Sequence, residues 1–255
     1  MSKLPEEHRF FDLSDYGRSV AFQLVQAIKT TSLTPVHITV AFFVSGLTAI
    51  VLLLNEYYGL ALLFLILKSI LDAADGELAR AKNTPSHTGR YLDSISDIVL
   101  NLILFLTIWY VTDGSLLLTV ISFICLQLQG TLYNYYYVIL RNRHNGDTTS
   151  RVFENKSPNA LKGESQKTVN SMFKIYSLCY GTFDSIIYRL DKNAAKGKVF
   201  PNWFMTAVSS FGLGFQLLLI GLMFTLGWQQ YIIPFFIGYS IMIFIFILIR
   251  QVLNR

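Results

Sequence analysis

Apolar runs alternate with short polar turns along most of this chain. The runs are predicted to form six membrane spans, at about residues 35–54, 57–77, 92–111, 115–140, 201–226 and 231–249. A helix of about 20 apolar residues crosses a hydrocarbon core of roughly 30 Å. The pattern therefore predicts an all-α, polytopic membrane protein with six transmembrane helices.

Composition supports the membrane prediction. Hydrophobic residues make up 53% of the 255 residues and charged residues 15%, whereas a soluble domain carries roughly 25% charged residues. The net charge of +5 does not indicate nucleic-acid binding, because the location of charges in a membrane protein matters more than their sum. Cys125 and Cys179 lie in apolar surroundings without CxxC spacing, which predicts packed thiols.

The segment before the first span, residues 1–34, is predicted to be a cytoplasmic arm. Its charges are scattered and no apolar core precedes a cleavage site, which argues against a secretory signal. Residues 14–31 place Val20, Leu24 and Ile28 on one helix face. This pattern predicts an amphipathic helix in the membrane interface. The alternative is an ordinary amphipathic helix that packs on the protein.

The remainder, residues 35–255, is predicted to be a single transmembrane domain. Thr34 and Pro35 are residue types of a helix N-cap and of the first helical position. Residues 141–200 are predicted to contain a polar cytoplasmic loop and a second interfacial helix. That helix covers 166–191, where apolar residues recur at intervals of three or four among charged ones.

The distribution of basic residues predicts the orientation of the spans. The turns NEYY, TDGS and LGWQQ contain no lysine or arginine, so the 21 basic residues lie in the arm, the other loops and the C-terminal end, or at Lys68 inside the second span. By the positive-inside rule the basic side is cytoplasmic. Both termini are therefore predicted to be cytoplasmic.

Four aspartates flank the loop between the second and third spans. Asp72 and Asp75 are three residues apart, and Asp93 and Asp97 are four apart, so each pair shares a helix face. The connection between the pairs is short, which predicts an antiparallel hairpin. The four carboxylates are then expected to face each other at the cytoplasmic membrane surface.

Four clustered negative charges in a medium of low dielectric must protonate or bind cations. Two divalent cations balance the charge, and oxygen ligands suit magnesium, manganese or calcium rather than zinc. Two bridged cations serve phosphoryl transfer. A cation transporter is the alternative, although transporter carboxylates usually lie near mid-membrane. Helix capping, or pairing of Asp72 with Lys68, also accounts for any single aspartate.

Small residues accompany the aspartates. Gly76, Ala79 and Gly89 lie beside the carboxylates or on their helix faces, where missing side chains leave room for a base or a phosphate. Close helix packing through Ala73, Gly76 and Ala79 explains the small residues equally well. Arg80 is suited to neutralising a phosphate oxygen, or to anchoring the helix at the membrane surface.

These residues together form the pattern D-x2-D-G-x2-A-R-x8-G-x3-D-x3-D over 26 residues. Every position is met, by Asp72, Asp75, Gly76, Ala79, Arg80, Gly89, Asp93 and Asp97. On this motif the chain resembles the CDP-alcohol phosphotransferase (CDP-alcohol phosphatidyltransferase) family. The six-span layout and the amphipathic helix before the first span extend the likeness loosely to most of the chain.

The resemblance implies a phospholipid-synthesis enzyme that transfers a substituted phosphate from a CDP-linked donor to an alcohol and releases CMP. Asp93 and Asp97 are expected to be catalytic, with Asp97 as the general base. The expected ligands of two Mg²⁺ or Mn²⁺ ions are Asp72, Asp75, Asp93 and Asp97, and the expected CDP-binding residues are Gly76, Ala79, Arg80 and Gly89. One substrate is expected to be a membrane lipid, and the protein a homodimer.

The first span departs from the family's pattern, and the substrates remain open. Many members begin this span with Thr-Pro-Asn, whereas Val36 stands here in place of the asparagine. The donor is either CDP-diacylglycerol, which the basic loop slightly favours, or CDP-choline or CDP-ethanolamine. Arg141, Arg143 and Lys174 are candidates for binding a phosphorylated acceptor, although positive-inside topology explains them as well. A catalytically inactive scaffold is disfavoured, because all four aspartates are present.

Overall fold

The computed structural model describes residues 4–144, 154, 156–197 and 200–253. Ten α-helices and no strand occur in that part of the chain. The helices are α1 (Arg18–Ile28), α2 (Pro35–Leu54), α3 (Tyr58–Ala81), α4 (His87–Thr112), α5 (Leu116–Arg143), α6 (Gln166–Leu190), α7 (Asn202–Val208), α8 (Leu213–Thr225), α9 (Ile232–Tyr239) and α10 (Ile241–Leu253). The predicted all-α architecture is confirmed.

Four segments are long and apolar enough to cross a membrane: α2, α4, α5, and the stretch Gln229–Leu253 that contains α9 and α10. A fifth is possible if Asn202–Phe211 and Leu213–Thr225, which are bent by 52°, count as one span. Helix α3, predicted as the second span, is not among them, since it carries Lys68, Asp72 and Asp75. The count of six spans stays a prediction.

Helix starts follow local capping chemistry. The backbone N–H of Thr34 donates to His37 Nδ1 at 3.1 Å, and Pro35 occupies the first turn of α2, as predicted for this start. Ser86 caps α4 by accepting from the backbone N–H of Gly89 at 2.8 Å. These side chains satisfy N–H groups that the first helical turn leaves unpaired.

The turns without basic residues meet at one end of the bundle. The α4–α5 turn contacts the region before α9, because Gln230 Nε2 donates to the carbonyl of Thr112 at 3.3 Å. Tyr58, just after the α2–α3 turn, packs against Phe224 near the end of α8, with ring centroids 5.3 Å apart. The aspartate-bearing ends of α3 and α4 lie at the opposite end.

Helix α6 crosses α4 and α5 at the aspartate end. Tyr176 packs against Tyr91 near the start of α4, with ring centroids 5.1 Å apart. Twelve residues later, Tyr188 packs edge-on against Tyr135 near the end of α5. Since α4 and α5 are antiparallel neighbours, both contacts lie at the same end, and α6 runs across the bundle there.

The N-terminal arm packs into the bend between α7 and α8. The backbone N–H of Leu13 donates to Ser209 Oγ at 2.9 Å. A Cβ at Gly214 would lie 2.0 Å from the carbonyl oxygen of Ser14, so only glycine permits this approach. Tyr133 on α5 donates to Asp12 Oδ2 at 2.5 Å. The arm therefore joins α5 to the bend.

Helix α1 lies against α3. Its buried residues Ala21 and Val25 form a cluster with Ala74 and Leu78 of α3, while Val20, on the predicted apolar face, is 51% exposed. The contacts fit the alternative of packing on the protein, and a location of α1 in the membrane interface stays a prediction.

A buried ion pair fixes the C-terminal helix at the aspartate end. Arg250 on α10 binds Asp191, which directly follows α6, and both residues are buried. Tyr136 also donates to Asp191 Oδ2 at 2.7 Å. The last described helix therefore ends on the side of the aspartates.

Candidate metal and active site

The α3–α4 hairpin brings three of the four motif aspartates together. One carboxylate oxygen from each of Asp72, Asp75 and Asp93 lies within 4.8 Å of the others. Asp75 is 7% exposed, and Asp72 and Asp93 are half-buried. The expected juxtaposition of carboxylates from the two helices is present for these three residues.

The donor set fits a divalent cation. Asp93 Oδ1 is buried and has no hydrogen-bond partner among the described residues. A buried carboxylate oxygen without a partner is costly, and a cation removes that cost. Oxygen ligands are those that magnesium, manganese and calcium prefer. Asp72, Asp75 and Asp93 would hold such an ion.

Helix α2 contributes to this group from its first turns. Thr39 Oγ1 donates a 2.8 Å hydrogen bond to Asp75 Oδ2, and Thr39 is 4% exposed. Thr39 lies three residues after Val36, on the same helix face. The position where asparagine was expected thus has a polar neighbour that contacts the aspartate group.

The fourth aspartate, Asp97, is held by Lys68. The Lys68 ammonium forms a short ion pair with Asp97 and lies 3.3 Å from Asp72 Oδ2. Lys68 is 2% exposed, and its Nζ lies 4.9 Å from the centre of the Phe42 ring. The sequence suggested the i,i+4 pairing of Lys68 with Asp72, but not the contact with Asp97 across the hairpin.

The small residues of the motif differ in their surroundings. Among the described residues, the one atom within 4 Å of a Cβ built at Gly76 is Arg80 Nη1, at 3.5 Å. A Cβ at Gly89 would lie 3.3 Å from the capping oxygen of Ser86. Ala79 is half-buried. At Gly76 no atom of another described helix lies within 4 Å of that Cβ, and a role of Gly76, Ala79 and Gly89 in binding CDP stays a prediction.

Arg80 has a partner that the sequence analysis did not identify. Its Nη2 lies 2.9 Å from Glu77 Oε2, one turn earlier on α3. Glu77 is 5% exposed. Pairing with a buried carboxylate fixes the guanidinium at the aspartate end of the hairpin.

The loop before α6 is hydrogen-bonded to the start of α4. Glu164 Oε1 accepts hydrogen bonds from Ser86 Oγ at 2.8 Å and from the backbone N–H of Thr88 at 2.7 Å. Burial alone would raise the pKa of Glu164, but hydrogen bonds from Thr88, Ser86 and Leu161 outweigh it and lower that pKa to about 2. Glu164 therefore remains an anion at the positive end of α4.

Polar and aromatic side chains form the contact between α4 and α6, next to the aspartates. Tyr180 on α6 donates to the carbonyl of Ser94 at 2.9 Å, one residue after Asp93. Arg90 pairs with Glu154 at 2.7 Å and lies over the Tyr91 ring. The contacts of Glu154 and Glu164 with α4 have no local signal in the sequence, because the contacted residues of α4 and its N-cap are more than 60 residues away.

The candidate acceptor residues have different environments. Arg141 is 4% exposed, with its guanidinium carbon 5.1 Å from the centre of the Tyr137 ring. Arg143 donates to the carbonyls of Ala194 and Ala195, at 3.1 and 2.8 Å. Lys174 is exposed on α6. Arg151, also in the basic loop, lies outside the described residues. A role of these side chains in acceptor binding stays a prediction.

Comparison with known proteins identifies the family. The model of the family described as CDP-alcohol phosphatidyltransferase matches residues 32–233. Neither the curated proteins nor the solved structures gave a match. The family match includes α2 to α8 and all of the aspartate motif, and it agrees with the carboxylate group at the α3–α4 hairpin. The chain belongs to the CDP-alcohol phosphatidyltransferase family.

Proposed function

We propose that this protein transfers a phosphatidyl group from CDP-diacylglycerol to a small alcohol and releases CMP, with its active site at the cytoplasmic membrane surface. Family membership supports phosphotransfer from a CDP-linked compound to an acceptor. The observation that carries the proposal is the convergence of Asp72, Asp75 and Asp93 within 4.8 Å, with Asp97 on the same hairpin.

Two Mg²⁺ or Mn²⁺ ions, when bound, would neutralise the charge on the transferred phosphoryl group and on the departing CMP. Asp72, Asp75 and Asp93 would hold the first ion, and Asp97 would join the ligands in the assembled site. Thr39 orients Asp75 for this role through its 2.8 Å hydrogen bond.

Asp97 is proposed as the general base. The acceptor hydroxyl loses its proton to Asp97 as its oxygen attacks the β-phosphorus, and the bond from that phosphorus to the CMP oxygen breaks. Lys68 holds the Asp97 carboxylate in place before the acceptor arrives. A positioned base of this kind contributes about 10²–10⁴-fold to the rate.

Space for the nucleotide is proposed beside Gly76, where no side chain fills the helix surface. Ala79 and Gly89 would line the same pocket, and Arg80 would meet the pyrophosphate. Arg80 reaches the aspartate end of α3, and its contact with Glu77 limits the directions in which the guanidinium points.

The choice of CDP-diacylglycerol rests on the charges around α6. Lys162, Lys167 and Lys174 are exposed there, and such cations suit a phosphorylated, water-soluble acceptor. The lipid substituent of the donor would stay in the bilayer while its head enters at the aspartate end. A homodimer in the membrane completes the proposal.

An assay of CMP release tests the activity. Purified protein with Mg²⁺ is incubated with CDP-diacylglycerol and a panel of small alcohols, with and without phosphate groups. Parallel reactions contain CDP-choline or CDP-ethanolamine with diacylglycerol. We expect CMP with the first donor only. CMP with the second donors would contradict the donor assignment. Metal-dependent cation flux into vesicles without CMP release from any pair would contradict the enzyme proposal.

Asp97→Asn tests the proposed base. We expect turnover to fall by about 10²–10⁴-fold, while the protein elutes as a folded species in size-exclusion chromatography. Asp113→Asn is the matched control, because Asp113 is exposed in the α4–α5 turn and has a φ of 48°, which asparagine also adopts. Substantial activity in Asp97→Asn would rule out Asp97 as the base.

A further inference from the structure

Lys68 occupies an unusual position for a lysine in a membrane protein. It lies on α3 one turn before Asp72 and is 2% exposed. Its ammonium group pairs with Asp97 on α4 and lies 3.3 Å from Asp72 Oδ2. The face of the Phe42 ring lies 4.9 Å from Nζ. A buried lysine is normally paired, and here both of its acidic partners belong to the aspartate motif.

The ammonium divides the four aspartates into two parts. Asp97 has a cation from the protein itself, and Asp72 shares that cation at the longer distance. Asp72, Asp75 and Asp93 form the group of oxygens within 4.8 Å. Asp93 Oδ1 is buried in that group without a hydrogen-bond partner among the described residues. Asp97 is already neutralised by the Lys68 ammonium, whereas the group of Asp72, Asp75 and Asp93 is suited to bind a cation.

The charges of these side chains limit the number of divalent cations that the site binds without substrate. Four ionised carboxylates carry four negative charges, and Lys68 supplies one positive charge. One divalent cation in the three-aspartate group leaves a single negative charge. A second divalent cation would make the resting site positive and would lie close to the ammonium, which is unfavourable at low dielectric. The diphosphate of a bound donor would supply the negative charge that a second cation needs.

We propose that Lys68 is a positioning residue that takes the place of one divalent cation in the resting site. The resting protein then binds one divalent ion per chain, at Asp72, Asp75 and Asp93, and binds a second only together with the diphosphate of the donor. This inference rests on the proposed function, because it concerns the metal content of the same site.

Counting bound Mn²⁺ by equilibrium dialysis of the full-length protein in detergent tests the inference. The wild type is expected to bind one ion per chain without nucleotide, and two in the presence of saturating CDP, which serves as a diphosphate probe. Lys68→Met removes the charge and keeps a side chain of similar length. It is expected to bind two ions without nucleotide. Lys68→Arg keeps the charge and is expected to bind one.

Lys29→Met is the matched control, because Lys29 is an exposed lysine in the N-terminal arm, where its ammonium donates a hydrogen bond to Gln26. It is expected to bind one ion, as the wild type does. Two ions on the wild type without CDP would overturn the inference, and so would one ion on a folded Lys68→Met protein. If Lys68→Met does not fold, the wild-type protein alone tests the inference. An equal number of bound Mn²⁺ ions with and without CDP would then overturn it.

The count is independent of the CMP assay. Absence of CMP release with the expected ion counts would contradict the proposed activity and leave the role of Lys68 intact. CMP release with two ions on the resting wild type would contradict the role of Lys68 alone.

Discussion

Thr39 on α2 donates a 2.8 Å hydrogen bond to Asp75 Oδ2 on α3, and both residues are buried. The bond holds the Asp75 carboxylate beside those of Asp72 and Asp93, with which it shares a group of oxygens within 4.8 Å. Partners of metal ligands orient the ligand and tune its affinity. The first helix of the matched family region therefore contributes to a site whose acidic residues all come from α3 and α4.

Thr39→Val is expected to weaken Mn²⁺ binding by about 10-fold, in line with losses at residues that orient a metal ligand. Valine keeps the shape of threonine and removes the hydroxyl donor. Thr48→Val is the control, since Thr48 lies on the same helix and donates to the carbonyl of Val44. Calorimetric titration with Mn²⁺ measures both. Equal affinities in the two variants would show that the Thr39 hydroxyl does not support the site.

Gly76→Ala distinguishes a role of Gly76 in a nucleotide pocket from a role in helix packing. A Cβ at Gly76 meets only Arg80 Nη1, at 3.5 Å, among the described residues, so the fold should tolerate alanine and gain about 0.5–1 kcal/mol from its helix propensity. We expect an unchanged or higher melting temperature, together with a KM for the CDP-linked donor raised about 10-fold, equivalent to roughly 1.4 kcal/mol.

Gly59→Ala is the control for this variant. Gly59 lies on the same helix at the far end, and apart from the local backbone of α3 and the neighbouring residues, no atom of the described residues lies within 4 Å of a Cβ built there. The donor KM of Gly59→Ala should equal that of the wild type. A normal KM with a lowered melting temperature in Gly76→Ala would instead assign Gly76 to packing between helices.

Asp184 on α6 gives the protein a pH-dependent stability. Burial raises the pKa of the Asp184 carboxyl to about 6, because it outweighs the hydrogen bond from Tyr176 and the charge of Arg90, which lower that pKa, while the charge of Glu154 adds to the rise. An unfolded aspartate titrates near pH 3.9. The folded chain therefore holds a proton that the unfolded chain has lost between about pH 4 and pH 6, and stability falls as the pH rises through that window.

Asp184→Asn removes this loss of stability. We expect its melting temperature to exceed that of the wild type by roughly 2–4 °C at pH 7.5, corresponding to about 1 kcal/mol. The difference should disappear near pH 4. Thermal unfolding in detergent at both pH values measures it, with Asp113→Asn, in the exposed α4–α5 turn, as the control. A difference that persists at the lower pH would contradict the assignment to Asp184 ionisation.

Helix α6 is expected to lie in the membrane interface. Its outward face exposes Ile175, Leu178 and Ile186, with Leu178 84% exposed, while its inner face packs on α4 and α5. A spin label at position 178 in lipid vesicles should be accessible to oxygen and protected from a water-soluble nickel complex. A label at position 170, where Asn170 is exposed among polar neighbours, should show the reverse. Equal access of the nickel complex to both positions would place α6 in water.

Local sequence patterns predicted much of this architecture. The start of α2 at Pro35 and the helical runs through α5 follow from apolar length and capping residues. The bend between α7 and α8 did not follow from local patterns, and the Ser14 segment that packs against it at Gly214 lies 200 residues away along the chain. A regular span was predicted there from apolar composition alone.

In the candidate site, too, local sequence predicted some contacts and tertiary packing determined the others. Helical spacing placed Asp72, Asp75 and Asp93 together correctly. The pairing of Lys68 with Asp97 joins residues 29 apart, on different helices. Spacing within one helix predicts only the i,i+4 pair of Lys68 with Asp72. The geometry of the hairpin decides which carboxylate the ammonium reaches, and that depends on tertiary packing.

Location of Mn²⁺ by anomalous scattering, in crystals of the protein soaked with the metal, tests the central claim most directly. The account predicts an anomalous peak at about 2.0–2.3 Å from carboxylate oxygens of Asp72, Asp75 and Asp93. Carboxylates that point apart, with no peak between them in the metal-loaded protein, would contradict it.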